Sequence, residues 1–459
     1  MTQKNWEVYK FGGTSMKNAD ALKQVGNLIM NSDSDNLIVV VSAMSGMTDD
    51  LLSFSQTKDE KLLEAIESRY IETVGSLLKD SSEEHRLIEE FRQDIQKIKD
   101  IAEQKDHSSM NVEENEILGF GEIWSSKMLH DYLTSLSDIK SSWINPMEFL
   151  VIRNQEMGAN VNWSKSKEAF NQSFQDMEGK IIMGGFIASD EEGRPTNLGR
   201  NGSDYSASIL GSLSESNSVT IWTDVDGVLT GDPRVVSNAR IIEQMTYDEA
   251  VELSYFGAEV IHPKTMAPLM HKGTHLYIKN TFNPESAGTC ISSKQKNIRA
   301  VKGITTIKGI ALINIEGTGM IGVPGIVNRL GSVLQMANIS IVLISQAGSE
   351  HSICFAVRSK DIKKAADVIK QEFENDFKNK NLNALQVEED CSILAIVGSG
   401  MTGTKGIAAK FFNAISLSQT NVIAIAQGSS EKNISVVIKS KQMTSYNLFR
   451  NKMGLLQKQ

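Results

Sequence analysis

Only three cysteines occur in 459 residues, Cys290, Cys354 and Cys391, and they lie far apart. That excludes a disulfide scaffold and a cysteine-built zinc site, and points to a reducing cytoplasm. The seven histidines are scattered, and no pair has zinc-ligand spacing with a third candidate close by. A metal cage built from protein side chains is therefore not expected. Basic residues are the minority, 47 against 56 acids for a net charge of −9, which argues against a nucleic-acid partner. No apolar run approaches the ~20 residues that a membrane helix needs. The opening MTQKNWEVYK carries no apolar signal core.

What is present is ordinary globular composition, 40% apolar and 22% charged, in a chain too long for one core. Apolar, β-branched runs at Val8–Phe11, Leu37–Ser42, Ile181–Ile187 and Val219–Thr223 read as buried strands. Charged periodic stretches at Glu60–Lys79, Glu83–Gln104 and Glu113–Leu136 read as surface helices. This alternation predicts an α/β domain with a mainly parallel sheet, ending near the polar, basic stretch Ser292–Ala300.

Beyond that point the sequence repeats. INIEGTGMIGVPGI…ISIVLISQAGSEHSI is echoed by LAIVGSGMTGTKGI…TNVIAIAQGSSEKNI, with Gly319 and Gly400, Gly325 and Gly406, Gln346 and Gln427, and Glu350 and Glu431 each 81 positions apart. Each copy reads strand, glycine-rich loop, helix, strand, turn, strand, which implies two small α+β modules packed on each other. GTGMIG and GSGMTG both satisfy a dinucleotide-binding pattern, yet no acid follows about 20 residues later to hold a ribose. In GSGMTGTK, Lys405 is one place off the P-loop spacing. These glycines are better explained by close approach of a small ligand or the partner module.

Four stretches of the first domain carry polar groups at strand ends. In KFGGTS, Lys10 ends a strand, and Gly12 and Gly13 free backbone N–H groups for an anion, although a plain tight turn fits as well. VVVSAMSGMTD delivers Ser42, Ser45 and Thr48 to the carboxyl edge of a strand, where open α/β sheets place ligands. NLGRNGSDYSA offers Arg200, a planar donor for a carboxylate, then Ser203 and Asp204 at a helix start, where either is also a candidate cap. IWTDVDGVLTGDPRVV sets Thr223 and Asp224 at a strand end, with Asp232 and Arg234 beyond; polar turns or a nucleotide loop both fit.

Taken in order, KFGGTS, FGE, GFIA, LGRNGSDYSA, WTDVDGV…DPR and ELSYFGAEVIHPKT resemble the aspartokinases of the amino-acid kinase family, and the repeat resembles their tandem ACT domains. The resemblance covers nearly the whole chain. It implies an α/β amino-acid kinase fold over 1–297, followed by two ferredoxin-like α+β ACT modules over 298–459. The first module would span about 309–383, inserted within a second made of about 298–308 plus 384–459. The implied reaction is ATP-dependent phosphorylation of the side-chain carboxylate of L-aspartate to 4-phospho-L-aspartate, the first step toward lysine, threonine and methionine. By the same resemblance Lys10, Gly12 and Gly13 meet the transferred phosphoryl group, and Asp204 orients the lysine. Arg200 and Glu122 take the α-carboxylate and ammonium of aspartate, with Ser42, Thr48 and Ser203 lining the pocket. Thr223, Asp224, Asp232 and Arg234 contact ATP, and Mg²⁺ arrives with the nucleotide.

Glu259 departs from the pattern, standing where many members carry a lysine. Either it points away, or ATP binds less tightly, or another base such as Lys264 takes over. The ACT resemblance further implies feedback inhibition by an amino acid, threonine before lysine, with Gln346 and Gln427 as effector contacts and a homodimer or higher assembly through these modules. NVIAIAQGSSEKNISVVI is similar to the kinase half of bifunctional aspartokinase–homoserine dehydrogenases. The chain stops about where such a dehydrogenase would begin, as a fragment of a fusion or a free-standing kinase of that lineage. The competing readings are an amino-acid sensor with a weakened kinase domain, and another amino-acid kinase.

Overall fold

A computed structural model describes residues 5–79, 81–104, 110–136, 139–155, 158–231, 233, 239–255, 261–295, 299–346, 348 and 350–445. The chain forms two compact units, Met1–Val228 with Ile241–Tyr247 and Val260–Gln295, and Leu229–Arg240 with Asp248–Glu259 and Lys296–Gln459. Among the described residues no helix is long and apolar enough to cross a membrane.

The first unit is built on an eight-stranded sheet. Its centre runs parallel through His275–Asn280, Ser218–Thr223, Trp6–Phe11, Asn36–Val41, Lys180–Gly184 and Ser141–Trp143. Thr289–Ser292 joins antiparallel to His275–Asn280, and Gln244–Thr246 closes that edge. Leu37 to Val41 are wholly buried, as is Val8. Helices cover both faces of a parallel sheet, which is why the strands read as continuous β-branched runs rather than alternating ones. All four expected strands are present. The run at Ile181–Ile187 breaks in two, because Lys180–Gly184 ends at a double glycine and Ile187–Ser189 starts a separate hairpin with Pro195–Asn197. The three expected helices lie at Glu60–Leu78, Ser82–Gln104 and Met110–Ser135, but the third is no surface helix: Ile117, Phe120, Trp124, Met128, Leu129 and Leu133 are buried in the core.

The second unit carries one six-stranded antiparallel sheet. A single long strand, Gly303–Glu316, serves both halves of the repeat. Its residues Gly303–Ile307 pair with Ile393–Val397, while Ile310–Glu316 pair with Ser352–Arg358. The outer strands Leu343–Gln346 and Ala424–Gln427 hold Gln346 and Gln427 at the same terminal position, and both glutamines are exposed. Ser345 Oγ donates to the Ile425 carbonyl at 3.0 Å, so these two strands meet.

The repeated glycines have a packing explanation. A Cβ on Gly317 would lie 2.2 Å from the Asn381 carbonyl oxygen, and one on Gly398 would lie 2.2 Å from that of Ala300. Each loop thus lets a backbone segment cross beneath it. The repeated acids close the same loops, with Gly322 N–H donating to Glu350 at 2.9 Å and Gly403 N–H to Glu431 at 2.6 Å. The helix Tyr247–Tyr255 is anchored within this unit from Asp248 onward. Wholly buried Glu249 accepts the Ser399 N–H at 2.7 Å, Asn433 donates to Glu252 at 2.8 Å, and Lys432 pairs with Asp248.

Candidate active site

The strands Trp6–Phe11, Asn36–Val41, Lys180–Gly184 and Ser218–Thr223 all end on one edge of the parallel sheet. Their carboxyl ends open a cleft of about 800 Å³. It gathers Lys10, Gly12, Gly13, Ser42, Thr48, Glu122, Arg200, Ser203, Asp204, Thr223 and Asp224, which are contributed by segments more than 200 residues apart. Asp232, Arg234 and Glu259 lie outside the described residues. Gln346 and Gln427 belong to the second unit.

Lys10 is the last but one residue of its strand and is almost fully buried. Its Nζ stands 2.5 Å from Asp204 Oδ1. Asp204 does not cap the helix Gly202–Leu213. That end is held by Asn201, left-handed at φ 59° and without a side-chain cap bond. The acid in the first helical turn is therefore directed at the lysine instead. This short, largely buried ion pair fixes the position of the lysine in the cleft.

One expectation needs correction. Gly12 lines the cleft, but its N–H donates to the Trp222 carbonyl at 3.2 Å and is not available to an anion. The parallel pairing of Trp6–Phe11 with Ser218–Thr223 continues to Gly12 and takes that donor. Gly13 opens the short 3-10 turn Gly13–Met16, where first-turn N–H groups have no intrahelical acceptor. It passes close to the Ala43 carbonyl, which an added Cβ would approach to 3.2 Å.

Glu122 sits on the helix Met110–Ser135 and is only 4% exposed. Burial pushes its carboxyl up to about 8 from 4.5, partly offset by a backbone hydrogen bond from Ala43 and by the charge of Lys10. Its Oε2 has no hydrogen-bond partner among the described residues. A buried acceptor left open at the wall of a polar cleft is set up to receive a donor from a ligand. Arg200 is exposed on the turn between Gly199 (φ 74°) and Asn201, and makes no ion pair among the described residues.

Sequence reasoning missed several residues that line or brace the cleft. Asn197 donates to Asn115 at 2.5 Å and accepts the Gly199 N–H at 2.9 Å, tying the turn that carries Arg200 to the Glu122 helix. Arg69, distant in sequence, donates to the Ser45 carbonyl at 2.8 Å and steadies the serine-rich loop. Thr14, Asp49, Glu114, Leu118 and Phe186 are among the other lining residues. Only Asn197, next to the Gly199–Arg200 turn, had a local signal in the form of an Asn–x–Gly turn. Among the described residues no group of three acids, histidines or cysteines could hold a metal ion.

A mainly parallel sheet with a Lys–Asp pair and an unpartnered buried carboxyl oxygen at its carboxyl edge, together with a tandem α+β repeat, defines an α/β protein with a polar cleft and a second, α+β unit. Residues 5–280 match the model of the amino acid kinase family, and 313–373 with 394–445 match an ACT domain. The chain belongs to the amino acid kinase family. It is 37% identical over 452 residues to the bifunctional aspartokinase/homoserine dehydrogenase 1 of Arabidopsis thaliana, covering 95% of this chain and 49% of that protein. The chain thus spans about half the length of such curated relatives. Among solved structures, the aspartate kinase of Clostridium acetobutylicum aligns with a TM-score of 0.80 at 25% identity, covering 97% of this chain and 100% of that one. Aspartokinase III of E. coli, solved with aspartate and ADP, aligns at 0.79 and 23%, covering 98% and 99%, a likeness of fold.

Proposed function

We propose that this chain transfers the γ-phosphoryl group of ATP to the side-chain carboxylate of L-aspartate, giving 4-phospho-L-aspartate and ADP. The observation that carries this reading is the open, buried carboxylate of Glu122 in one cleft with exposed Arg200 and the Lys10–Asp204 pair. An α-amino acid offers an ammonium to the first and a carboxylate to the second, leaving its side chain to face Lys10. Similarity to aspartokinases over most of the chain supports the same substrate.

The chemistry asks mainly for positioning and charge neutralisation, because one anion must approach another. A carboxylate oxygen of aspartate forms the new bond to phosphorus, the bond to the bridging oxygen of ADP breaks, and no proton moves to or from the acceptor. Lys10 offsets charge on the transferred group, and Asp204 holds the lysine in place. Ser42, Thr48 and Ser203 line the acceptor side; Thr223 and Asp224, with Asp232 and Arg234, serve the nucleotide. Mg²⁺ carried on the ATP phosphates supplies further charge neutralisation when bound.

The two-module repeat, read as ACT modules spanning about 298–459, supports feedback inhibition by an amino acid, threonine first and lysine second, through Gln346 and Gln427. A homodimer through these modules, in a reducing cytoplasm, fits the same reading. The test is ATP consumption with hydroxylamine trapping of the acyl phosphate, offering aspartate, glutamate and acetylglutamate separately, with and without threonine or lysine. Trapped aspartyl product suppressed by threonine is the expected result. No turnover with any acceptor, together with tight threonine binding, would make the chain a sensor.

A further inference from the structure

The segment Asn280–Asn283 lies outside the motif stretches, yet it borders Thr223, Asn280 Nδ2 reaches the Asp224 carbonyl at 3.4 Å, and three of its side chains hold the loops that form the site. Asn280 ends the strand His275–Asn280, next to Thr223 in parallel register. Its Oδ1 accepts the Phe282 N–H at 2.9 Å, which orients the amide so that Nδ2 donates to Asp226 Oδ1 at 2.8 Å. Asn283 Nδ2 donates to the same oxygen at 3.0 Å. One carboxylate oxygen therefore takes two amides from one turn, two residues after Asp224, where the chain has left the sheet and has no ladder to fix it.

The other arm points to the glycine-rich turn. Thr281 is wholly buried, and its Oγ1 lies 2.7 Å from Oγ of equally buried Ser15, with Gln24 donating to the Thr281 carbonyl at 3.0 Å. The Thr281 N–H continues the sheet to the Thr223 carbonyl at 2.8 Å. A single short turn thus holds the loop after Lys10 and the loop after Thr223 in one register.

We infer that Asp226, clamped by Asn280 and Asn283, is a positioning residue for nucleotide binding. It sets Thr223 and Asp224 relative to the Gly13–Ser15 turn without touching substrate. This rests on the reading that Thr223 and Asp224 serve ATP. Asp226 acts as an acceptor of two amide hydrogens, so an asparagine, which keeps one carbonyl oxygen, preserves the clamp, whereas alanine removes it.

The test is steady-state kinetics of Asp226→Ala, Asp226→Asn and Asn283→Ala in the full chain, each substrate varied at saturation of the other. The expected result is a rise of about tenfold in the ATP KM for Asp226→Ala, for two hydrogen bonds lost. Asn283→Ala, at an exposed position that does not threaten folding, should rise about threefold. Asp226→Asn should stay within about twofold, and the aspartate KM should stay within about twofold in all three. An unchanged ATP KM in both alanine variants, or an aspartate KM rising in parallel, overturns the inference while leaving the aspartate reading intact. Should the wild-type chain turn over no aspartate, that reading falls, and calorimetry with Mg·ADP decides the clamp. About tenfold weaker binding by Asp226→Ala sustains it, and equal binding refutes it.

Discussion

Glu122→Gln should stabilise the protein while damaging it as an aspartate binder, and the gain should depend on pH. The carboxyl ionises near 4.5 when unfolded and near 8 in the fold, because burial disfavours its charge. Between those values the native chain holds a proton that the unfolded chain has released, so stability falls as pH rises. The cost is under about 1 kcal/mol at pH 5, about 3 kcal/mol at pH 7 and about 5 kcal/mol at pH 9. The amide carries no such charge, so the stability gap between the Glu122→Gln variant and wild type should widen by about 4 kcal/mol from pH 5 to 9, read by chemical unfolding. The same proton gives a second readout. If an ammonium ionises Glu122 on binding, aspartate binding near pH 7 releases close to one proton, measurable by calorimetry in two buffers of different ionisation enthalpy. The variant should release none, and its aspartate KM should rise about a hundredfold, for a charge-assisted hydrogen bond lost. A stability gap flat with pH would show that Glu122 is not held neutral, and the reasoning would fail.

Lys10→Ala removes the cation opposite both Asp204 and the transferred phosphoryl group; kcat should fall at least a hundredfold, about 3 kcal/mol, with the aspartate KM little changed. Arg200→Lys keeps the charge but not the planar fork, so the aspartate KM should rise roughly tenfold while the ATP KM holds in the same assay. Gly398→Ala forces a Cβ onto the Ala300 carbonyl and should lower stability by about 3 kcal/mol. Gly403→Ala, with open space but φ at 69°, should cost only about 1–2 kcal/mol, and scanning calorimetry would separate the two.

Much of this protein was legible in the chain. The parallel sheet announced itself because strands buried on both faces must be apolar at every position, as Leu37 to Val41 are. The tandem modules announced themselves because equal folds at an offset of 81 need equal glycines and equal acids, down to Glu350 and Glu431 closing the same turn. Lys10, Glu122, Arg200 and Asp204 were found as motif residues, and the fold brought them to one cleft.

What the sequence left open depended on contacts between distant segments. Whether Gly12 offers its N–H depends on how far two parallel strands stay paired, and the Trp222 carbonyl, more than 200 residues away, takes it. Whether Asp204 caps its helix or faces Lys10 depends on where another strand ends. The repeated glycines left open an approach by a small ligand or by the partner module, since a close approach reads the same in sequence whatever makes it; only the structure showed the backbone at Asn381 and Ala300 crossing there. The Asp226 clamp and the Arg69 brace left no local pattern, because hydrogen-bond partners across a fold carry no spacing rule. Local periodicity and repeats are properties of the chain and determine the elements. The choice among several possible partners for one polar group is made by tertiary packing.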